Sequence, residues 1–168
     1  MSNDLLFMAA ALEEARKTVK EGNTPYGAAV VRDGQLIAKG HNVVRSEQDP
    51  TAHGEVQAIR AACRALGTIS LEGTTLYTTC EPCLMCTGAI IAAKIAKVVI
   101  GARWTDAPQY FDLSKPSLLS VGAQVKYPFS YTVGVMREEC VKLYTATPLT
   151  SPHAGSGAQN SKRLPSGS

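Results

Sequence analysis

No stretch of this 168-residue sequence is apolar for long enough to cross a membrane. A membrane helix needs ~20 consecutive apolar residues, and the most apolar stretch, residues 90–93, is followed by Lys94 and Lys97. The N-terminus also lacks a signal-peptide pattern, because Asp4 precedes its apolar residues and glutamates follow them closely. The sequence therefore predicts a cytoplasmic protein with no membrane partner.

A strong excess of charge is also missing. Lys and Arg outnumber Asp and Glu by 17 to 14, and the basic residues are spread along the chain. Because proteins that bind nucleic acid usually cluster their basic residues on one face, this pattern argues against a nucleic-acid partner. The hydrophobic content of 45% predicts a globular domain. We place that domain at residues 1–147 and expect the Ser/Pro/Gly-rich residues 148–168 to be a disordered tail.

The periodicity of apolar residues predicts alternating helices and strands. Helical spacing predicts a first helix from Asn3 or Asp4 to Gly22, and further helices over 51–66, 82–93 and 136–144. Strands are predicted over 27–31, 35–40, 74–78 and 97–101, the first two joined as a hairpin. This order indicates an α/β fold, a three-layer α/β/α sandwich with a mixed sheet. Residues 103–130 are predicted to be a loop, either an active-site wall or an ordinary surface excursion.

Two short motifs carry the chemistry. The first is His53-Gly54-Glu55, and the second runs from Cys80 to Cys86 with Pro82 at its centre. Imidazole and thiolate groups bind zinc, and a catalytic zinc has three protein ligands and one open position. His53, Cys83 and Cys86 are those three ligands in our interpretation, one zinc per chain, with Glu55 as the proton carrier. His-x-Glu followed by Pro-Cys-x-x-Cys is a known signature of zinc-dependent nucleobase deaminases.

Other interpretations of the same residues stay open at this point. The cysteine pair alone is compatible with a redox pair or a structural zinc site, in which Cys80 would be the near candidate for a fourth ligand. Neither alternative explains Glu55, and a redox pair does not explain His53. The other three cysteines, Cys63, Cys80 and Cys140, are expected to be buried thiols and not disulfide partners.

The segment from Thr78 to Ala89 resembles the cytidine and deoxycytidylate deaminase-like superfamily. Within it, the segment is similar to the branch of bacterial guanine deaminases, tRNA adenosine deaminases and fungal cytosine deaminases. The resemblance, over about residues 5–145, implies a five-stranded sheet, a homodimer, zinc on the three ligands and a proton shuttle at Glu55. It also implies that Asn42 hydrogen-bonds the heterocycle. The alternative is that Asn42 is only a turn residue after the strand.

The substrate signals inside this branch are divided. Gly54 and the segment Gly40-His41-Asn42 resemble fungal cytosine deaminase, whereas Glu81 and Trp104 resemble the guanine deaminase group. A strongly basic terminal helix, expected for tRNA editing, is not visible, so we predict a small free heterocyclic amine. Trp104, Asp106 and Phe111 are candidate substrate contacts, with an exposed loop aspartate and a hydrophobic loop anchor as alternatives. A tRNA adenosine deaminase and an inactive zinc-binding interaction domain are the other functions considered.

Overall fold

A computed structural model describes residues 3–124 and 129–146, and the predicted tail at 148–168 lies outside them. The chain forms a five-stranded sheet and six helices in this part. The helices are α1 (Asn3–Lys20), α2 (Val44–Glu47), α3 (Gly54–Leu66), α4 (Leu84–Ala92), α5 (Leu118–Val121) and α6 (Arg137–Ala146). The strands are β1 (Gly27–Arg32), β2 (Gln35–His41), β3 (Thr75–Cys80), β4 (Lys97–Ala102) and β5 (Ser130–Val133).

The strands lie in the order β2-β1-β3-β4-β5. β1 pairs antiparallel with β2 and β3, whereas β4 pairs parallel with β3 and β5. The sheet is therefore mixed, as predicted. A parallel pair requires a crossover connection, and α4 supplies it between β3 and β4.

Helices cover both faces of this sheet and give the predicted three layers. On one face, α1 and α6 pack over a core that includes Met8, Leu12, Val99 and Tyr144. On the other, α3 and α4 pack over a second core, which includes Ile59 and Ile90. β3 and β4 are buried on both faces because they lie inside the sheet between these two layers.

Two local features fix how β2 meets its neighbours. The hairpin between β1 and β2 turns at Asp33 and Gly34, which have φ angles of 51° and 72°. Positive φ at both positions is the turn geometry that matches the twist of paired strands. Near the end of β2, a Cβ on Gly40 would collide with the backbone of α3 at Ala58. Glycine therefore allows α3 to lie directly against the strand that leads to Asn42.

The predicted boundaries were wrong at the two helices that matter most for the site. α3 begins at Gly54 and not near Thr51, and α4 begins at Leu84 and not at Pro82. Residues 44–47, between the predicted strand at 35–40 and the predicted helix at 51–66, form the short helix α2. The predicted loop at 103–130 contains α5 and short 3-10 turns, and it ends at the first residue of β5. This fifth strand is short and largely exposed, so its sequence carries little of the apolar pattern used to find the others.

Within the described residues, no helix has both the length and the apolar character required to span a membrane.

Candidate active site

The candidate metal ligands lie at the starts of α3 and α4, and their donor atoms surround one point. His53 and Cys83 are the residues immediately before α3 and α4, and both have extended backbone conformations. Cys86 lies in the first turn of α4, where it is fully buried. Both helix N-termini therefore point at the same place, and their positive dipole ends favour thiolate there.

The three donor atoms are spaced as a tetrahedral zinc requires. Nδ1 of His53 lies 3.7 Å from Sγ of Cys83 and 3.5 Å from Sγ of Cys86. Bonds of ~2.0 Å to nitrogen and ~2.3 Å to sulfur place neighbouring donors about 3.6 Å apart in a tetrahedron. All three atoms lie within 4.8 Å of one another, and this is the donor group found among the described residues. Cys80 is not part of it, so three protein ligands fit the site and one corner is left.

The two cysteine thiols of the donor group are joined by a hydrogen bond that shifts their pKa values in opposite directions. A hydrogen bond from Cys86 lowers the pKa of Cys83 to about 4, with a further contribution from His53. The same hydrogen bond raises the pKa of Cys86, which keeps the shared proton. Burial alone would lower the pKa of His53, but Cys83 and Glu55 raise it. A bound metal ion takes the place of these protons, because its ligands must be deprotonated.

Glu55 lies in the first turn of α3, buried beside the donor cluster. Burial raises the pKa of its carboxyl group, while the nearby His53 lowers it. Its Oε1 lies 3.4 Å from the hydroxyl of Thr78, which also donates to the carbonyl of Cys80 at 2.9 Å. A raised pKa suits a carboxyl group that must accept a proton and then release it.

The backbone at Tyr26 connects the metal site with Asn42. The N–H of Asn42 donates to the carbonyl of Tyr26 at 2.9 Å. A Cβ on Gly54 would lie 2.9 Å from the same carbonyl oxygen, closer than packed atoms allow. Glycine beside the ligand His53 therefore lets α3 start directly against Tyr26.

Asn42 is buried, and its carbonyl side accepts the N–H of Val44 at 3.2 Å. Within the described residues, its NH₂ group has no hydrogen-bond partner. An asparagine amide can both donate and accept, so the NH₂ group keeps a donor for another molecule. The substrate contact of Asn42 stays a prediction that this geometry permits.

The predicted aromatic contacts, Trp104 and Phe111, form a cluster with Tyr26 and Tyr144. Trp104 and Phe111 are stacked, with ring centroids 5.8 Å apart and an interplanar angle of 1°. Phe111 meets Tyr144 edge-on at 5.5 Å, and Tyr26 lies 6.5 Å from Phe111. Trp104 and Phe111 therefore anchor the loop to the core. Whether a ring also stacks on a substrate stays a prediction.

Both carboxylate oxygens of Asp106 accept hydrogen bonds from within the protein. One oxygen accepts the N–H of Arg103 at 2.8 Å, and the other pairs with Arg137 at 2.6 Å. Burial alone would raise the pKa of Asp106, but Arg137 and Arg103 lower it. Both oxygens are thus engaged, and this supports a structural role for the carboxylate over the predicted substrate contact.

Several residues that shape the site were not found from the sequence. Thr78 was placed only as part of a strand, although strand periodicity puts it on the face that meets α3. Burial raises the pKa of Tyr26, which lies just before β1. Ser117 gave no signal, since only the folded loop brings it to Glu81.

Of the three cysteines outside the donor group, Cys80 and Cys140 are buried as predicted and Cys63 is not. All five cysteines are free thiols, and Cys80 and Cys140 are buried. Cys63 is only half-buried, on α3.

Comparisons with known proteins point the same way as this geometry. Residues 1–102 match the family described as the cytidine and deoxycytidylate deaminase zinc-binding region. The chain is 48% identical over 102 residues to a tRNA-specific adenosine deaminase of Bacillus subtilis, covering 61% of this chain and 63% of that protein. It is 43% identical over 124 residues to guanine deaminase of the same organism, covering 68% of this chain and 80% of that protein.

A solved structure of guanine deaminase from Nitrosomonas europaea has a similar fold. It matches with a TM-score of 0.75 and 29% identity, over 84% of this chain and 82% of that one. The match confirms the predicted fold class.

Proposed function

Because the chain belongs to the cytidine and deoxycytidylate deaminase family, we propose that it is a hydrolase that removes the amino group of a small free heterocycle, guanine or cytosine in type. Water replaces the amino group and ammonia leaves. One observation carries the proposal: three donors at zinc spacing lie beside a buried carboxyl group, Glu55, that has no place in the donor set.

The protein residues divide the work between binding and proton transfer. His53, Cys83 and Cys86 hold the metal. Zinc, when bound there, makes water reactive at neutral pH. Glu55 accepts a proton from that water and passes it to the ring nitrogen beside the amino-bearing carbon. The oxygen of the water bonds to that carbon, and Glu55 moves the water's second proton to the amino group, so that the C–N bond breaks and ammonia leaves. Asn42 orients the ring through its free NH₂ group.

Two observations support a small free substrate. The net charge of +3 is weak and the basic residues are spread along the sequence, a pattern that argues against binding to a nucleic acid backbone. A guanine deaminase is among the relatives, matched over 80% of its length.

A tRNA adenosine deaminase is the second candidate. The observation that favours it is the higher identity, 48%, to a tRNA-specific enzyme across the segment with the metal ligands. That enzyme is matched over less than two thirds of its length, so its substrate does not transfer on this likeness alone.

Ammonia release from a panel of substrates separates the candidates. The panel contains guanine, cytosine, adenosine, cytidine and a tRNA anticodon stem-loop, assayed with the zinc-loaded chain. We expect release from a free base, and release abolished in Glu55→Gln with zinc content unchanged. Glu72→Gln is the matched control, since Glu72 is exposed and paired with Lys94.

Each alternative has its own outcome in this assay. Release from the stem-loop alone would establish the second candidate. Full zinc content without release from any member would indicate an inactive zinc-binding domain. The homodimer expected from the family resemblance is a separate proposal, and a solution mass of one chain would contradict it.

A further inference from the structure

Glu81 lies two residues before the ligand Cys83, and its side chain points into the protein. The residue is only 6% exposed. One carboxylate oxygen accepts the backbone N–H of Trp104 at 3.1 Å. The other accepts a short hydrogen bond from the hydroxyl of Ser117. One buried carboxylate thus joins three parts of the chain that are far apart in sequence.

Backbone contacts run between the same segments. The carbonyl of Glu81 accepts the indole N–H of Trp104 at 2.8 Å. The carbonyl of Pro82 accepts the N–H of Leu118 at 2.8 Å. Cys83 itself pairs with Ser117 in an isolated antiparallel bridge. The turn that carries Cys83 is therefore fastened on one side to residues 104 and 117–118.

The two cysteine ligands differ in how they are supported. Cys86 lies within α4, whose own hydrogen bonds fix its backbone. Cys83 lies before the helix in an extended conformation, with φ −70° and ψ 173°. Its carbonyl accepts the N–H and the hydroxyl of Thr87 on α4, both at 2.9 Å, whereas the turn before it is held by the contacts of Glu81 and Pro82. Of the two sulfurs, Cys83 Sγ is the one that would move if the turn were released.

The side chain buried between these segments is a charged one. Burying a carboxylate is unfavourable unless hydrogen bonds satisfy it. Here both oxygens have donors, and Arg103 and Lys115 line the groove that Glu81 borders. An apolar side chain would fill space, whereas a carboxylate also fixes the direction of two donors on separate segments.

We propose that Glu81 is a positioning residue, whose carboxylate holds Cys83 in ligand geometry by tying its turn to Trp104 and Ser117. The inference rests on the zinc site of the proposed function. Partners that orient metal ligands typically contribute 10- to 100-fold to metal affinity. Glu81 touches neither metal nor substrate, so its effect should appear first in how long the chain retains zinc.

The test follows zinc release from the loaded chain into excess chelator, by the colour of a metal indicator. We expect release about 10-fold faster in Glu81→Ala and a smaller acceleration in Ser117→Ala, which removes one of the two hydrogen-bond donors to the carboxylate. Glu81→Gln should stay close to wild type, because its amide can accept from Trp104 and donate to the Ser117 oxygen. Glu72→Ala, at an exposed glutamate, is the control.

A second readout separates positioning from general support of the fold. Melting temperatures are measured for metal-free and zinc-loaded forms of each variant. A purely structural role would lower both temperatures equally, and that result would overturn the inference. Positioning predicts that the increase caused by zinc becomes smaller in Glu81→Ala.

The remaining outcomes are also decisive. Unchanged zinc release in Glu81→Ala overturns the inference while leaving the proposed function intact. If that variant does not fold, unchanged release in Ser117→Ala overturns it instead. A wild-type chain that takes up no zinc overturns the proposed function itself.

Discussion

The hydroxyl of Thr78 lies 3.4 Å from a carboxylate oxygen of Glu55 and 2.9 Å from the carbonyl oxygen of Cys80. It therefore connects the proton carrier on α3 with the end of the strand that leads to the metal ligands. Thr78 is buried, so water cannot replace its hydroxyl without rearrangement.

Replacing Thr78 with valine should slow the reaction while the fold is retained. Valine keeps the branched shape but leaves Glu55 without this partner. Loss of one buried hydrogen bond is worth about 1–2 kcal/mol, which predicts a roughly 10-fold fall in kcat/KM. Steady-state kinetics with the best substrate of the panel measure the change. Thr78→Ser keeps the hydroxyl and should recover most of the rate. A full rate in Thr78→Val with a loss only in Thr78→Ser would show that the methyl group and not the hydroxyl matters.

A methyl group at Gly54 should destabilise the protein. Alanine is the better helix former, but its Cβ would lie 2.9 Å from the carbonyl oxygen of Tyr26, and backbone atoms yield little. Forced overpacking of this kind typically costs about 1–3 kcal/mol. Urea denaturation of Gly54→Ala against wild type measures the free energy of unfolding. A more stable variant would mean that helix propensity outweighs the contact, and that the start of α3 shifts readily.

Glu14 should make the stability of the fold depend on acid. Burial alone would raise the pKa of Glu14, but hydrogen bonds from Lys17, His41 and Lys39 lower it to about 2, from an ordinary value of 4.5. The folded chain therefore holds the ionised form more strongly than the unfolded chain. This stabilising contribution is complete above pH 4.5 and is lost as the pH falls toward 2.

The variant Glu14→Gln isolates that contribution. We expect it to lower the free energy of unfolding at pH 7 by about 1–2 kcal/mol, because solvent screening at the half-exposed Lys17 weakens the network. The difference from wild type should shrink as the pH is lowered from 5 to 2. Denaturation curves at several pH values check it, and a difference that stays constant would contradict the assignment. Glu13→Gln is the control, since Glu13 is exposed and makes a single contact with Lys39.

Asp106→Asn should affect stability more than substrate binding. Its two oxygens are engaged by Arg103 and Arg137. An exposed charge-assisted pair of this kind is worth about 1 kcal/mol, so the melting temperature should fall slightly. KM should stay within about twofold of wild type, because a residue that does not touch substrate contributes no binding energy. A large rise in KM without loss of stability would restore the substrate contact predicted from the sequence.

Much of this architecture could be predicted from residue patterns, and the failures have local causes. The sequence of β4 is a continuous apolar run, and the apolar residues of α1 recur at helical spacing. Both patterns can be found in the sequence. The starts of α3 and α4 were misplaced because His53 and Cys83 lie before their helices in extended conformations, which helix periodicity does not indicate. The contacts of Ser117 and Thr78 depend on tertiary packing between distant segments, which no local pattern encodes.

His53 and Cys83 are thirty positions apart, on opposite sides of β3 in the sequence. Neither donor can face the other until that strand has paired and both flanking helices have docked. We therefore expect a nascent chain to bind zinc only after most of the sheet has formed. Scarcity of zinc should leave behind a folded protein without its metal sooner than an unfolded one.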